Sequence, residues 1–292
     1  TIKKGVSLMG VGLDKGLGVV SSIAEEKKQG VKIETFRALL NGLVGDYLEK
    51  KGNPLAIEMQ FRYQAESISL ESKRIHERYP KVNGKILVMV HGCCMNDIQW
   101  TRKDHNHGIE LSEELDKTTV YLYYNSGLHI SINGQRFSKI LEKLIENWPV
   151  PVDEISIIAH SMGGLVSRSA IHYGQVENKK WIKRLKKIIF LGTPHHGAPM
   201  ERIGNYVDEI LEFIPYTKPL AKLGKTRSAG VTDLRYGNLL DEDWKDNNRF
   251  EIKGDQRQHI ALPKQVQCYS IAAVKVRKNN KAGKILGDGL VD

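Results

Sequence analysis

Cysteine, long apolar runs and metal-binding patterns are all scarce in this sequence. Its 292 residues include only three cysteines, Cys93, Cys94 and Cys268. An odd number, with two of them adjacent, forms no disulfide framework and favours free thiols in a reducing compartment. There is no C-x-x-C pair for a cysteine zinc site, and no uncharged run approaches the roughly 18 residues of a transmembrane helix. The sequence leaves the compartment open, although the cysteine count favours a cytoplasmic or membrane-peripheral location.

Negative charge is in the minority. The 44 lysines and arginines outnumber 34 acidic residues, which gives a net charge of +10. The densest basic stretch, Lys179 to Lys187, alternates bases with apolar residues and predicts a basic amphipathic helix. Such a face is commonly solvated, with lysine stems covering apolar surface, but it also suits an anionic membrane or an acidic substrate. No zinc finger, RNP-type motif or basic–aromatic patch is present, so nucleic acid is not predicted as a partner.

Apolar runs of strand length recur along the chain, with helical patterns between them. Ala56 to Leu70 alternates apolar and polar residues and predicts an antiparallel pair at a sheet edge. Lys73 to Tyr79 is interpreted as a charged linker, and Ser131 to Trp148 as an amphipathic helix. Five later runs predict the strands of a mostly parallel sheet flanked by helices: Lys85–Gly92, Val120–Tyr124, Ile155–Ala159, Ile188–Pro194 and Val266–Val274.

Two regions depart from this alternation of strand and helix patterns. Residues 1–55 carry helical patterns, most clearly from Ile33 to Leu48, and predict an N-terminal extension packed on the core or an arm for a partner. Gly197 to Pro263 has no strand pattern, and an insertion of this length predicts a cap or lid over an active site, bounded here as 197–265. The predicted core is therefore residues 56–292, with the cap inside it.

Ser161 is the strongest candidate for a catalytic residue. The segment Glu154 to Gly174 runs from a buried strand through a turn into a helix, with the serine at the turn. This is the pattern of a nucleophile elbow, in which a strained turn exposes the serine hydroxyl and small residues flank it. Ala159 and Gly163 are those small residues, in an A-x-S-x-G variant. The pentapeptide alone is equally compatible with an ordinary turn, so the surrounding motifs decide the interpretation.

A second motif predicts an oxyanion hole. The strand that begins at Lys85 ends on His91-Gly92, where hydrolases with an elbow place a loop that donates a backbone N–H to the developing oxyanion. We predict that the donors are the main-chain N–H groups of Cys93 and of Met162, the residue after the serine. The substrate-binding residues predicted beside them are His91, Gly92 and His160.

Asp288 is the candidate acid. It stands between two glycines after the strand Val266–Val274, where a flexible loop turns a carboxylate toward a histidine and stabilises the imidazolium. A plain Gly-Asp-Gly turn is the structural alternative, and Asp292 is the second choice of acid. Asp104 to His107 offers two histidines on one loop, but without a matching pair elsewhere no metal site is predicted.

Taken in order, the motifs HG, AHSMGG, GTPHHGAP and GDGLV resemble the lipase and esterase branch of the α/β-hydrolases, in particular bacterial lipase-like proteins related to GPI-inositol deacylases. The resemblance covers Ile57 to Asp292. It implies the α/β-hydrolase fold and a serine hydrolase acting on carboxylic ester or lipid substrates without a cofactor, with Ser161 as nucleophile and Asp288 as acid. His195 and His196 precede the acid in the chain, so we expect them to have a structural role near the pocket.

The resemblance also implies a catalytic histidine after the acid, and no histidine follows His259. We expect this base in a tail beyond Asp292, since the chain begins with Thr1 rather than methionine and is expected to be trimmed. Without a base, the serine is a weak nucleophile. The alternatives are a non-catalytic hydrolase-fold module that binds an acyl chain or a protein, and an acyltransferase that shares the first half of the mechanism.

Overall fold

A computed structural model describes residues 30–198, 227–245 and 257–272. Asp288, Asp292, the first 29 residues and most of the predicted cap lie outside these ranges. The helices are α1 (Gly30–Lys50), α2 (Ser72–Arg78), α3 (His107–Glu114), α4 (Ile130–Glu146), α5 (Met162–Val176), α6 (Lys180–Arg184) and α7 (Ala229–Tyr236). The strands are β1 (Gln60–Tyr63), β2 (Glu66–Ser67), β3 (Lys85–Val90), β4 (Thr101–Arg102), β5 (His105–Asn106), β6 (Thr118–Tyr123), β7 (Glu154–His160), β8 (Leu185–Leu191) and β9 (Gln267–Ile271).

Seven of these strands form one mostly parallel sheet in the order β2-β1-β6-β3-β7-β8-β9. The five strands β6, β3, β7, β8 and β9 run parallel to one another. Strand β1 pairs antiparallel with β6 on one side and with the edge strand β2 on the other. Both the parallel core and the antiparallel edge pair were predicted from the sequence. The short strands β4 and β5 form a separate hairpin.

The central strands are nearly continuous apolar runs because helices cover both faces of the sheet. All six residues of β6 are buried, as are the last five of β3. Helix α4 turns one side to this core, where Phe137, Leu141 and Leu144 are fully buried. None of the helices within the described ranges has the length and hydropathy of a membrane span.

Two local predictions were wrong, and in both cases buried side chains explain the difference. Lys73–Tyr79 is not a linker but forms most of helix α2, whose Ile75 is fully buried beneath a charged surface. Lys179–Lys187 is not one helix. Helix α6 ends at Arg184 because Leu185 already enters the sheet beside Ile155, so the last bases of the stretch lie on strand β8.

Helix α1 packs directly on the core of the sheet and its helices. Its Leu39, Leu40, Leu43 and Leu48 belong to the same buried cluster as the residues of β3, β7 and α5. The helix is kinked at Val44, whose φ of −139° and ψ of 22° are not helical. The boundary predicted at residue 55 and the extent of the cap at 197–265 stay predictions.

Candidate active site

Ser161 occupies a strained turn between β7 and α5. Its φ is 51° and its ψ is −123°, a conformation that L residues rarely adopt. Such backbone strain costs on the order of 1–3 kcal/mol and persists only where the surroundings hold it in place. Here the Ser161 N–H donates to Leu191 O at 2.8 Å, and its carbonyl accepts from Gly164 N at 3.0 Å. The strand, turn and helix predicted around this serine are therefore present, and its side chain is half-buried.

Gly163 lies so close to β3 that no side chain fits there. A Cβ at this position would lie 2.5 Å from His91 O and 2.8 Å from Val90 O, both main-chain atoms. Ala159, the small residue on the other side of the serine, is fully buried between Val90 and Phe190 in neighbouring strands. The elbow thus needs small residues because the chain of β3 passes directly beside it.

The loop His91–Asn96, which we call the oxyanion loop after its predicted role, follows β3 and lies against Ser161. A Cβ on Gly92 would lie 3.2 Å from Ser161 Cβ and 2.9 Å from His160 Nδ1. These contacts place the first residues of the loop beside the serine. His160 is itself half-buried, directly before the serine in the chain.

The side chain of His91 is buried beneath the oxyanion loop. Its ring stacks on Tyr124 at 4.3 Å between centroids, and the Tyr124 hydroxyl donates to His91 O at 2.9 Å. Nδ1 lies 2.9 Å from Gly92 O, and Nε2 accepts from Tyr124 N at 3.4 Å, an arrangement that fits the neutral ring protonated at Nδ1. Burial lowers the pKa of His91 to about 4. We infer that His91 holds the loop, and its contact with substrate stays a prediction.

These contacts also orient the peptide between Gly92 and Cys93. The Gly92 carbonyl faces the His91 ring and also accepts from Met95 N at 3.3 Å. Because the peptide is trans, the Cys93 N–H points away from that carbonyl. The next amide, Cys94 N–H, already donates to Ser126 Oγ at 3.0 Å. Of the two cysteine amides, that of Cys94 is therefore already occupied, and Cys93 stays the predicted donor.

Met162, the other predicted donor, is the first residue of α5. The first N–H groups of a helix have no partner within the helix, and the helix dipole adds partial positive charge there. An oxyanion formed at Ser161 would meet this end of a 15-residue helix. The roles of Cys93 and Met162 stay predictions, since the contacts above concern the free protein only.

His195 lies on the loop after β8 and makes contacts that fit a structural role. Its Nδ1 is 3.2 Å from Nη1 of Arg168, and its ring meets Phe190 edge-on at 4.7 Å. Burial, and secondarily the Arg168 charge, lower the pKa of His195 to about 4. The imidazole is thus a neutral acceptor for an arginine. On the hairpin β4–β5, His105 lies 3.9 Å from Glu110, and within the described ranges no three potential ligands converge on a metal site.

Sequence reasoning missed the residues that support the oxyanion loop. Tyr124 and Ser126 follow β6, and both contact the loop although they lie more than thirty positions away. A signal was available, because Asn125-Ser126-Gly127 places small polar residues at the carboxyl end of a buried strand. In a parallel sheet that end adjoins the carboxyl end of β3, which in turn adjoins that of β7.

The chain belongs to the family described as “Putative serine esterase (DUF676)”, whose model matches residues 80–239, more than half of the chain. Its mostly parallel sheet, with Ser161 at the turn between β7 and α5, is the arrangement of the α/β-hydrolase fold. The comparison with curated proteins finds no match for this sequence.

Several solved structures resemble the chain at low identity. The mature lipase BlEst2 of Bacillus licheniformis is 20% identical over 70% of this chain and 76% of its own, with a TM-score of 0.43. A Pyrococcus furiosus esterase is 15% identical over 52% of this chain and 57% of its own, at 0.33. MGS-M2, an α/β-hydrolase enzyme from a deep-sea metagenome of the Medee basin, is 12% identical over 73% and 85%, at 0.32. Likeness of this degree says nothing of the substrate.

Proposed function

We propose that this protein hydrolyses carboxylic esters with Ser161 as the nucleophile. The observation that carries the proposal is the strained turn at Ser161, with φ at 51°, packed against a loop that leaves the neighbouring strand at Gly92. A strained, non-glycine turn of this kind is retained where its geometry serves a function. The family match supports an ester hydrolase in general terms.

In the proposed mechanism, a general base takes the proton of Ser161 Oγ as this oxygen attacks the acyl carbonyl carbon, and the carbonyl oxygen becomes an oxyanion. The N–H groups of Cys93 and Met162 donate hydrogen bonds to that oxygen, and the base returns the proton to the alcohol that leaves as the tetrahedral intermediate collapses. Water then attacks the acyl-serine and releases the acid. Removing one such donor from an oxyanion hole lowers kcat by about 10²–10³-fold in other hydrolases.

The proposed triad draws on residues outside the described ranges. Asp288 is its acid, and its base is a histidine after Asp288, because the order in this fold is serine, acid, histidine. The histidines within the described ranges all precede Asp288 in the chain, so none of them fits this order. His91 is buried beneath the oxyanion loop, and His195 accepts from Arg168. The proposal therefore requires a histidine beyond Asp292.

An ester with an apolar acyl chain is the proposed substrate, with residues 197–265 as its lid. Binding to an anionic membrane surface is a separate proposal. It would involve the exposed basic residues Lys183, Lys186 and Lys187. Lys186 and Lys187 lie near the amino end of β8, and Lys183 lies in helix α6 before it. Lys187 is four residues, about 13 Å along the strand, from Leu191, whose carbonyl accepts from the Ser161 N–H. A membrane bound there would face away from the serine.

Fluorophosphonate labelling of the complete protein tests the proposal. We expect labelling of the parent, none of Ser161→Ala, and full labelling of Ser72→Ala, which removes an exposed serine. A series of p-nitrophenyl esters of increasing chain length then measures acyl preference. A folded parent that resists labelling with and without detergent would contradict the proposal and favour a non-catalytic binding module. Appearance of an acylated alcohol instead of free acid would indicate acyl transfer.

A further inference from the structure

We propose that helix α1 holds the oxyanion loop in its working position, and that Gly42 and Arg62 are positioning residues for the reaction. This inference rests on the proposed ester hydrolysis. It concerns a part of the chain outside residues 80–239, the segment that matches the family. Two separate contacts join α1 to the loop, one at Cys94 and one at Asp97.

The first contact is between the backbone of α1 and the backbone of the loop. A Cβ on Gly42 would overlap Cys94 Sγ and would lie 2.9 Å from its Cα and 3.0 Å from its N. Cys94 has a positive φ of 59°, and its N–H donates to Ser126 Oγ. The residue after the proposed oxyanion donor is thus enclosed by α1 on one side and by the loop after β6 on the other.

The kink in α1 strengthens this attachment. Where the dihedral angles of a helix are broken, some hydrogen bonds within the helix are lost, and the carbonyls nearby can accept from other donors. On either side of Val44, Gly42 O accepts from Ser228 Oγ at 2.6 Å, and Gly45 O accepts from Asn125 Nδ2 at 3.0 Å. Both donors are buried. Helix α1 is therefore held at two carbonyls, that of Gly42, which also touches Cys94, and that of Gly45.

The second contact is a buried ion-pair network at the far end of the loop. Arg62 Nη1 lies 2.8 Å from Glu34 Oε2 on α1 and 3.2 Å from Asp97 Oδ1, and its guanidinium lies 4.3 Å above the Tyr123 ring. Asp97 begins the 3₁₀ turn that follows the loop, and 4% of it is exposed. A buried carboxylate needs such a partner. Arg62 therefore connects α1 to the residue that directly follows the loop.

Together the contacts of Gly42 with Cys94 and of Arg62 with Asp97 hold the loop His91–Asn96 on the side of α1. The serine and the oxyanion donors must keep their separation to within a fraction of an ångström, because a misplacement of 1 Å lowers a rate by about 100-fold. A side chain at Gly42 would push Cys94 and thereby the Cys93 N–H. We thus infer that α1 affects catalysis although it supplies no reacting group.

The test uses Gly42→Ala in the full chain, with Gly30→Ala as the matched control, since a Cβ on Gly30 meets nothing within 4 Å. For Gly42→Ala we expect kcat to fall roughly 10–100-fold with KM nearly unchanged. We also expect the ratio of rates on an oxoester and its thionoester to fall, because that ratio reports the fit of the oxyanion hole. In the same background, Cys94→Gly removes the overlapping sulfur and should restore part of kcat.

Glu34→Gln is the second variant, and it decides the question if Gly42→Ala does not fold. It weakens the ion pair between the half-buried Glu34 and Arg62, and thereby the link from α1 to Asp97. We expect both kcat and the oxoester/thionoester ratio to fall by a few-fold. Unchanged ratios in both folded variants would overturn this inference. Equal losses on both esters together with a lower Tm would also overturn it, by showing general damage. A parent without Ser161-dependent activity would instead overturn the proposed function.

Discussion

The nucleophile turn and the oxyanion loop lie at the same edge of the sheet, yet they are held in different ways. Ser161 is held by its own strand and helix and by the strands on either side, through Leu191 O and the main chain of β3 near Gly163. The oxyanion loop is held by side chains and segments from elsewhere. Tyr124 and Ser126 after β6 contact it directly. Helix α1 contacts it through Gly42, and Arg62 on β1 links the helix to Asp97.

The difference shows that precision in the proposed site has two origins. The turn depends on close backbone approach within the sheet, so a single added methyl group disturbs it. The loop depends on several contacts of moderate strength, each of which can be removed with a graded effect. We therefore expect variants at the turn to be severe and variants around the loop to be smaller and separable.

The largest effect is expected for Gly163→Ala. The added methyl group would lie 2.5 Å from His91 O and 2.8 Å from Val90 O at the end of β3, so the turn or the strand must move. We expect at least a roughly 100-fold loss of Ser161 labelling rate and a loss of about 2–3 kcal/mol in the free energy of unfolding. Labelling kinetics and urea unfolding measure these changes, with Gly30→Ala as control. Parent-like labelling in a folded Gly163→Ala variant would contradict the backbone account.

His91→Gln tests the loop through its pH dependence. Burial lowers the pKa of His91 to about 4 from about 6.5 unfolded, so the unfolded chain binds the extra proton as the pH falls from 6.5. The neutral ring's contribution to stability is present above pH 6.5 and is lost on the way to pH 4. Between pH 7 and 4.5 this loss is about 2 kcal/mol.

The glutamine variant should therefore lose about 2 kcal/mol less than the parent over that interval, measured as the difference in the free energy of unfolding. His195→Gln is the control, because the pKa of His195 is also lowered to about 4 but this residue lies half-buried on a different loop. An identical pH slope in parent and His91→Gln would show that the His91 ring is not held neutral.

Ser126→Ala should have a moderate effect. It removes the acceptor of the buried Cys94 N–H, which lies 3.0 Å from the serine hydroxyl, and leaves that donor unsatisfied. We expect a loss of about 1–2 kcal/mol in the free energy of unfolding and a several-fold fall in kcat. Chemical unfolding and ester kinetics measure both, beside Ser72→Ala. A change in KM alone would argue that Ser126 does not support the loop.

Cys93→Ala should have the smallest effect on activity. Cys93 is proposed to donate through its main chain, so the side chain matters only for packing, although it is buried. We expect kcat within about threefold of the parent and a stability loss of about 1 kcal/mol. Cys268→Ala, at a half-buried position on β9, is the matched control. Loss of all activity in a stable Cys93→Ala variant would assign the thiol itself a role.

The sequence by itself determined the features that depend on neighbours in the chain. Apolar runs predict the strands, because a strand buried on both faces must be apolar throughout. Ala159, Ser161 and Gly163 predict the turn, because strand, turn and helix are contiguous. The order of the motifs also indicated the family. Where local patterns misled, as at Ile75 and Leu185, burial against distant strands outweighed the charge of the flanking residues.

Only the tertiary structure decided what stands behind the oxyanion loop. Gly42 and Arg62 resemble any glycine in a helix and any arginine in a strand, and nothing in their local patterns links them to Cys94 or Asp97. Their roles arise because the parallel sheet gathers the ends of β3, β6 and β7 at one edge, where α1 crosses behind them. Such contacts join residues tens of positions apart. A reading of local periodicity and motif spacing has no access to them.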